Sequence, residues 1–212
     1  MSVVAVIDYG MGNIRSVAKA LEHVGNNVRV LVSNDAEQIC AADHVILPGV
    51  GALRDCMADL LQLELIDAVR ECARTRPFLG ICLGMQALLD CSEENGGTNG
   101  LAIIAGEAQH FDRGQDWDTA LKIPHMGWNQ VHQLQPHPLW QDIEQDSRFY
   151  FVHSYYAAPA QQQAVLATSD YGVTFASVIG RDNIFAVQFH PEKSQHAGLQ
   201  LLENFIGWDG AC

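Results

Sequence analysis

The chain has 212 residues, enough to bury a full core, and its composition (48% hydrophobic, 8% aromatic, 17% charged) is that of a folded protein. Twelve basic residues against 25 acidic give a formal charge of −13, which argues against nucleic acid as a partner but suits docking on a basic protein face. Met1 to Asp8 lacks the basic start and cleavage site of a secretory signal, and no apolar run approaches the roughly 20 residues of a membrane helix. The expectation is a cytoplasmic protein that does not associate with membranes.

Val3 to Ile7 is apolar without alternation and rich in β-branched residues, which predicts a fully buried strand. The loop Tyr9-Gly10-Met11-Gly12-Asn13 leads into a helical pattern through Ile14, Val17, Ala18, Leu21 and Val24 that Gly25 stops. Further strands are expected from Val28 to Val32 and from Val45 to Leu47, the latter running into Pro48-Gly49-Val50-Gly51. One long helix follows from about Asp55 to Thr75, then a short strand through Ile81 and a helix from Leu83 to Cys91. Strands alternating with helices at this spacing describe parallel βαβ units.

Beyond Asn95 the chain changes character. The segments from Asn95 to Asn99 and from Asp112 to Thr119 read as polar loops. Strand-like runs follow from Arg148 to Tyr156, Ala164 to Thr168, Thr174 to Ile179 and Ile184 to Phe189. Turns such as Ser169-Asp170-Tyr171-Gly172 and Arg181-Asp182-Asn183 separate them. A last helix, about Ala197 to Ile206, turns Leu199, Leu202, Phe205 and Ile206 inward. The expected fold is α/β, a single domain over residues 1–212. Its central sheet is mostly parallel with some antiparallel strands, and helices cover both faces.

The six cysteines form no CxxC pair, and without a secretory signal no disulfides are expected. Cys40, Cys56, Cys72 and Cys91 read as small buried hydrophobes and Cys212 as an exposed tail thiol. Cys82 differs. In Gly80-Ile81-Cys82-Leu83-Gly84 a strand ends, a cysteine sits between glycines two residues away on each side, and a helix begins. This is the G-x-nucleophile-x-G elbow with cysteine in place of serine. The strained turn lifts the sulfur above the sheet, and the helix start favours the thiolate. A buried cysteine in a tight junction is the plainer alternative.

A base belongs at another strand end. The strand ending at Phe189 delivers His190-Pro191-Glu192, where Pro191 fixes the backbone and aims Glu192 back at the ring. Oxyanion donors are expected at Gly49, Val50 and Gly51, at the end of an earlier buried strand on the same sheet edge, and at the Leu83 N–H after the nucleophile. A plain Pro-Gly turn remains the alternative there. The histidines other than His153 and His190 have no metal-ligand spacing, so no metal is expected.

With these motifs the chain resembles the class I (triad) glutamine amidotransferases, on Gly80 to Gln86 and on His190-Pro191-Glu192. It is similar in particular to the glutaminase subunits of imidazole glycerol phosphate synthases. That likeness is carried by Asp8-Tyr9-Gly10-Met11-Gly12-Asn13, Pro48 to Gly51, Pro124-His125-Met126-Gly127-Trp128-Asn129, Phe151 to Tyr155 and Lys193-Ser194.

The resemblance implies hydrolysis of L-glutamine through a Cys82 thioester, without a cofactor. The ammonia would pass to a (β/α)8 cyclase subunit in a heterodimer of histidine biosynthesis. It also implies that Gln86, Glu94, His153, Ser154 and Tyr155 hold glutamine, and that Asn13, Met126 and Trp128 lie toward the partner. For Trp128 a place in the core stays open. Another triad glutaminase (such as that of pyridoxal phosphate synthase), a cysteine hydrolase of related architecture, and a silent regulatory subunit are the competing readings.

Overall fold

Apolar β-branched runs without alternation have to be covered on both faces, and the first half of the chain does this with parallel strands. The computed structural model describes residues 1–10, 13–113 and 121–211. Met11 and Gly12, residues 114–119 of the expected polar loop and the Cys212 thiol lie outside the described residues. Strands β1 (Ser2–Ile7), β2 (Val28–Ser33), β3 (His44–Gly49) and β4 (Phe78–Cys82) run parallel in the order β2-β1-β3-β4. Helices α1 (Ile14–Val24), α2 (Ala36–Cys40), α3 (Leu53–Gln62), α4 (Ile66–Thr75) and α5 (Leu83–Ala87) connect and cover them.

The later strands are β5 (Cys91–Ser92), β6 (Thr98–Asn99), β7 (Gly106–His110), β8 (His125–Gln130), β9 (His132–Gln133), β10 (Arg148–His153), β11 (Tyr155–Pro159), β12 (Val165–Tyr171), β13 (Val173–Arg181) and β14 (Ile184–Val187). Helix α6 (Gln195–Gly207) closes the chain. β14 joins β4 in parallel, and the sheet continues from it through antiparallel β13, β11 and β7. β8 and β10 form a separate antiparallel ribbon. The expected mixed α/β sheet with helices on both faces is what forms.

Alternate residues of the parallel strands face two cores. Ala5, Ile7, Leu47 and Phe78 pack with Leu53, Leu60 and Val69, whereas Val6, Ile46, Leu79 and Phe185 pack with Val17, Leu21, Leu202 and Phe205. Among the described residues no helix is long and apolar enough to cross a membrane.

Several boundaries differ from the sequence expectation, each for a local reason. The long helix is two, α3 and α4, broken where Glu64 takes φ 56° and lets Leu65 turn fully inward. Helix α2 was not expected, although Asp35 caps it by accepting from the Gln38 N–H at 3.0 Å. Helix α5 stops at Ala87, short of Cys91, because the Leu88 carbonyl accepts from Ile103 and Ile104 and the Leu89 carbonyl from Ala102. The expected Asn95 to Asn99 loop contains part of a 3-10 turn (Glu94–Gly96) and β6.

The run from Arg148 to Tyr156 splits at Ser154 into β10 and β11, which belong to different sheets. β12 continues to Tyr171, so Gly172 at φ 70° makes the turn into β13. In α6 the inner face is Leu201, Leu202 and Phe205, while Leu199 and Ile206 are half-buried.

Candidate active site

The register sets the site. β4 lies between β3 and β14, with Gly49 opposite Cys82 and Val187 opposite Ile81, so three strand ends meet at one sheet edge. That edge is where open α/β sheets bind ligands. Cys82 has φ 55° and ψ −108°, a strained conformation for a residue with a side chain. A Cβ on Gly84 would lie 1.8 Å from the Leu47 carbonyl oxygen, so α5 can start against β3 only with glycine there. At Gly80 the fit is tight rather than closed, with Ala186 Cβ and the Gly84 oxygen at 3.1 Å.

Pro191 opens a 3-10 turn (Pro191–Lys193) that returns the Glu192 side chain to the ring. His190 Nδ1 and Glu192 Oε1 are 2.8 Å apart, with the two side chains 1% and 0% exposed. The Asn13 amide also donates to Glu192 Oε1. Asn13, expected on the partner side, thus turns its amide inward onto the acid, from a left-handed backbone at φ 82°. His190 Nε2 and Glu192 Oε2 are buried and have no hydrogen-bond partner among the described residues. Burial alone lowers the His190 pKa, but its interactions with the Cys82 sulfur and the Glu192 carboxylate outweigh that and push it up to about 9. Cys82 Sγ lies 4.0 Å from the Val152 carbonyl oxygen and 3.7 Å from Gln188 Nε2.

A cavity of about 300 Å³ opens over the sulfur. Cys82, His190, Val50, Gly51 and Leu83 line it, as do all five expected glutamine-holding residues, Gln86, Glu94, His153, Ser154 and Tyr155. Gly49 stands behind this lining, where a Cβ would come within 2.7 Å of the Tyr9 hydroxyl. That hydroxyl donates to the Pro48 carbonyl at 2.7 Å. The Gln86 amide nitrogen is already engaged, by the Tyr155 carbonyl and Gln188 Oε1 at 3.0 Å each. Glu94 Oε2 accepts from the Leu53 N–H at 2.8 Å, which ties the cavity rim to the start of α3.

His153 places Nδ1 2.8 Å from the Tyr155 carbonyl and Nε2 2.9 Å from His125 Nδ1. Burial pushes His153 down to about 3 and His125 down to about 4, so both are neutral at pH 7. The Tyr155 oxygen can only accept, which puts the His153 proton on Nδ1 and the His125 proton on its own Nδ1.

Met126 and Trp128 lie outside the cavity on β8, 61% and 43% exposed, so Trp128 is not a core aromatic. Their ribbon reaches the site at its far end, where His125 pairs with His153. Three residues the sequence reading passed over also belong here: Tyr9, His125 and Gln188. Gln188 had a signal, a polar residue following a wholly buried strand and two positions before His190. For Tyr9 and His125 the only signal was a place inside the family-like segments.

A cysteine on a strained elbow, an imidazole held by a buried carboxylate, and backbone N–H groups at two strand ends are the parts of an acyl-transfer site. Residues 5–208 match the family described as Glutamine amidotransferase class-I. The imidazole glycerol phosphate synthase subunit HisH of Nitrosococcus oceani is 59% identical over 210 residues, covering 99% of each chain. That of Methylococcus capsulatus is 58% identical, covering 99% of this chain and 98% of the relative. The structure of PurLQS from Thermotoga maritima superposes with a TM-score of 0.73 at 16% identity, covering 97% of this chain and 98% of that one. A further solved structure, described as a glutamine amidotransferase, gives 0.71 at 16% identity over 98% of this chain and all of that one. At such identities the two structures speak for the fold alone, whereas the sequence matches carry the family. The chain belongs to the class I glutamine amidotransferases and, within them, to the HisH subunits of imidazole glycerol phosphate synthase.

Proposed function

We propose that this chain is the glutaminase subunit of an imidazole glycerol phosphate synthase, hydrolysing the side-chain amide of L-glutamine in histidine biosynthesis. In this reading the whole chain acts as one glutamine amidotransferase domain, in the cytoplasm. The observation that carries it is the His190–Glu192 pair at 2.8 Å, whose ring nitrogen Nε2 stays unpaired beside a cavity holding Cys82. A space of about 300 Å³ suits a small amino acid.

Glutamine lies with its amide carbon over Cys82 Sγ. The thiolate attacks, and the Val50 and Leu83 N–H groups receive the developing oxyanion. His190 protonates the departing ammonia, leaving a γ-glutamyl thioester, and then draws a proton from water to release glutamate. Glu94 and the His153 to Tyr155 segment hold the amino-acid end. Each step moves protons and an acyl group between protein side chains, substrate and water.

The ammonia passes to a (β/α)8 cyclase subunit, which docks over the exposed Met126 and Trp128 and uses it on an N′-phosphoribulosyl aminoimidazole carboxamide nucleotide. An apolar pair with a polar surround is the composition of an interface centre. The test is glutamate release by the chain alone, then with the cyclase, then with cyclase and nucleotide. If the Gly49–Val50 peptide must turn before it can donate, the lone chain is nearly inactive and each addition raises the rate. Full activity of the lone chain would overturn this gating, and no glutamate under any condition would overturn the function.

A further inference from the structure

Gln188 touches the sulfur, and its neighbours dictate which end of its amide does so. The side chain is fully buried behind Cys82, with Nε2 3.7 Å from Sγ. The two ends of a buried amide are told apart by their partners, and here the partners leave one solution. The Tyr155 backbone carbonyl can only accept, so the Gln86 atom 3.0 Å from it is the NH2 group. That same nitrogen lies 3.0 Å from the Gln188 amide, which must therefore turn its oxygen toward Gln86. The Gln188 NH2 is left facing Cys82.

We propose that Gln188 is a catalytic residue whose amide N–H stabilises negative charge on the Cys82 sulfur, its orientation fixed through Gln86 by the Tyr155 carbonyl. Besides His190, which also interacts with it, the sulfur has as a near polar neighbour the Val152 carbonyl oxygen at 4.0 Å, an acceptor that suits a thiol and opposes a thiolate. A fixed donor is therefore what the ionised sulfur needs. Helix α5 has five residues, and a helix this short supplies little of the dipole that the elbow motif suggested. Gln86 then has a second duty: besides lining the cavity, it holds Gln188 in the donating orientation, a positioning role.

The proposal rests on Cys82 being the nucleophile, and its test reads sulfur reactivity rather than turnover. Full-length wild type, Gln188→Met, Gln188→Glu and Gln86→Met are treated with iodoacetamide at pH 7.5, and alkylation is followed on the Cys82 peptide by mass spectrometry. The thiolate displaces iodide, so the rate reports how readily the sulfur carries charge. Gln188→Met should slow Cys82 alkylation about tenfold, the worth of one hydrogen bond to a charged group. Gln188→Glu should slow it further, because a carboxylate offers acceptors only. Gln86→Met, which leaves Gln188 in place but free to turn over, should fall between wild type and Gln188→Met.

An unchanged rate in Gln188→Met, or a Gln188→Glu rate equal to wild type, overturns the proposal. Should neither Gln188 variant fold, Gln86→Met decides, and an unchanged rate there overturns it as well. The nucleophile reading fails separately, if Cys82→Ala still hydrolyses glutamine.

Discussion

Replacing Glu192 by glutamine keeps the shape of the His190–Glu192 pair and removes the carboxylate's charge. His190 sits at about 9 against an ordinary 6.5, because the Cys82 sulfur and the Glu192 carboxylate outweigh the effect of burial. A difference of about 2.5 units corresponds to about 3 kcal/mol of coupling between the protonated ring and its surroundings. The folded-state value is raised, so this contribution is complete below about pH 6.5 and is lost as the pH rises through about 9.

Wild type should therefore lose about 3 kcal/mol of stability between pH 6.5 and 9.5 from this group. Glu192→Gln should lose only a small part of this, since the Cys82 interaction that survives must alone offset the full effect of burial. The glutamine amide nitrogen would also occupy the place of Oε2, which is buried without a partner, at a pH-independent cost of about 1–3 kcal/mol. Denaturant unfolding of both proteins at pH 6.5, 8 and 9.5 measures the two slopes. Glutaminase turnover in the synthase complex should fall about 10²-fold or more, as when a triad acid is made neutral. A variant with the wild-type pH slope, or with turnover within threefold of wild type, would refute this account of the His190–Glu192 pair.

The elbow makes its own prediction: Gly84→Ala puts a Cβ 1.8 Å from the Leu47 oxygen, a backbone atom that cannot step aside. It should cost about 2 kcal/mol or more, seen as a Tm lowered by roughly 5 °C, and should abolish turnover. Gly80→Ala, with nearest atoms at 3.1 Å, should be milder on both measures. On the ribbon, Met126→Glu with Trp128→Glu should weaken cyclase binding about 10–100-fold in calorimetric titration while leaving the melting temperature unchanged. Unaltered binding would move the interface elsewhere.

The parallel half of the fold was legible because buried parallel strands advertise themselves as unbroken apolar runs, and glycine punctuates α1 and the elbow. The break between α3 and α4 was not, since Glu64 adopts its left-handed turn without Gly or Pro to mark it. The split at Ser154 was also hidden, because β10 and β11 form one continuous strand pattern and only their pairing separates them. Cys82, His190 and Glu192, which the fold brings together, are each marked by local motifs. Roles that depend on contacts between distant segments could not: Asn13 reaches Glu192 across 179 positions, and Gln188 reaches Cys82 across 106. A loop asparagine carries no sign of such a partner, and a glutamine after a buried strand marks only its nearness to His190, not its contact with Cys82. The family likeness placed Asn13 near the partner, and the hydrogen bond places its amide on the Glu192 carboxylate.

If Cys82 does its chemistry for a second subunit, one substitution separates the two activities. Cys82→Ala is assembled with the cyclase, and imidazole glycerol phosphate formation is measured with glutamine and, separately, with ammonium salt. No product should form from glutamine, while ammonium should give wild-type rates. Product formation from glutamine, or loss of both activities, would contradict this role for Cys82.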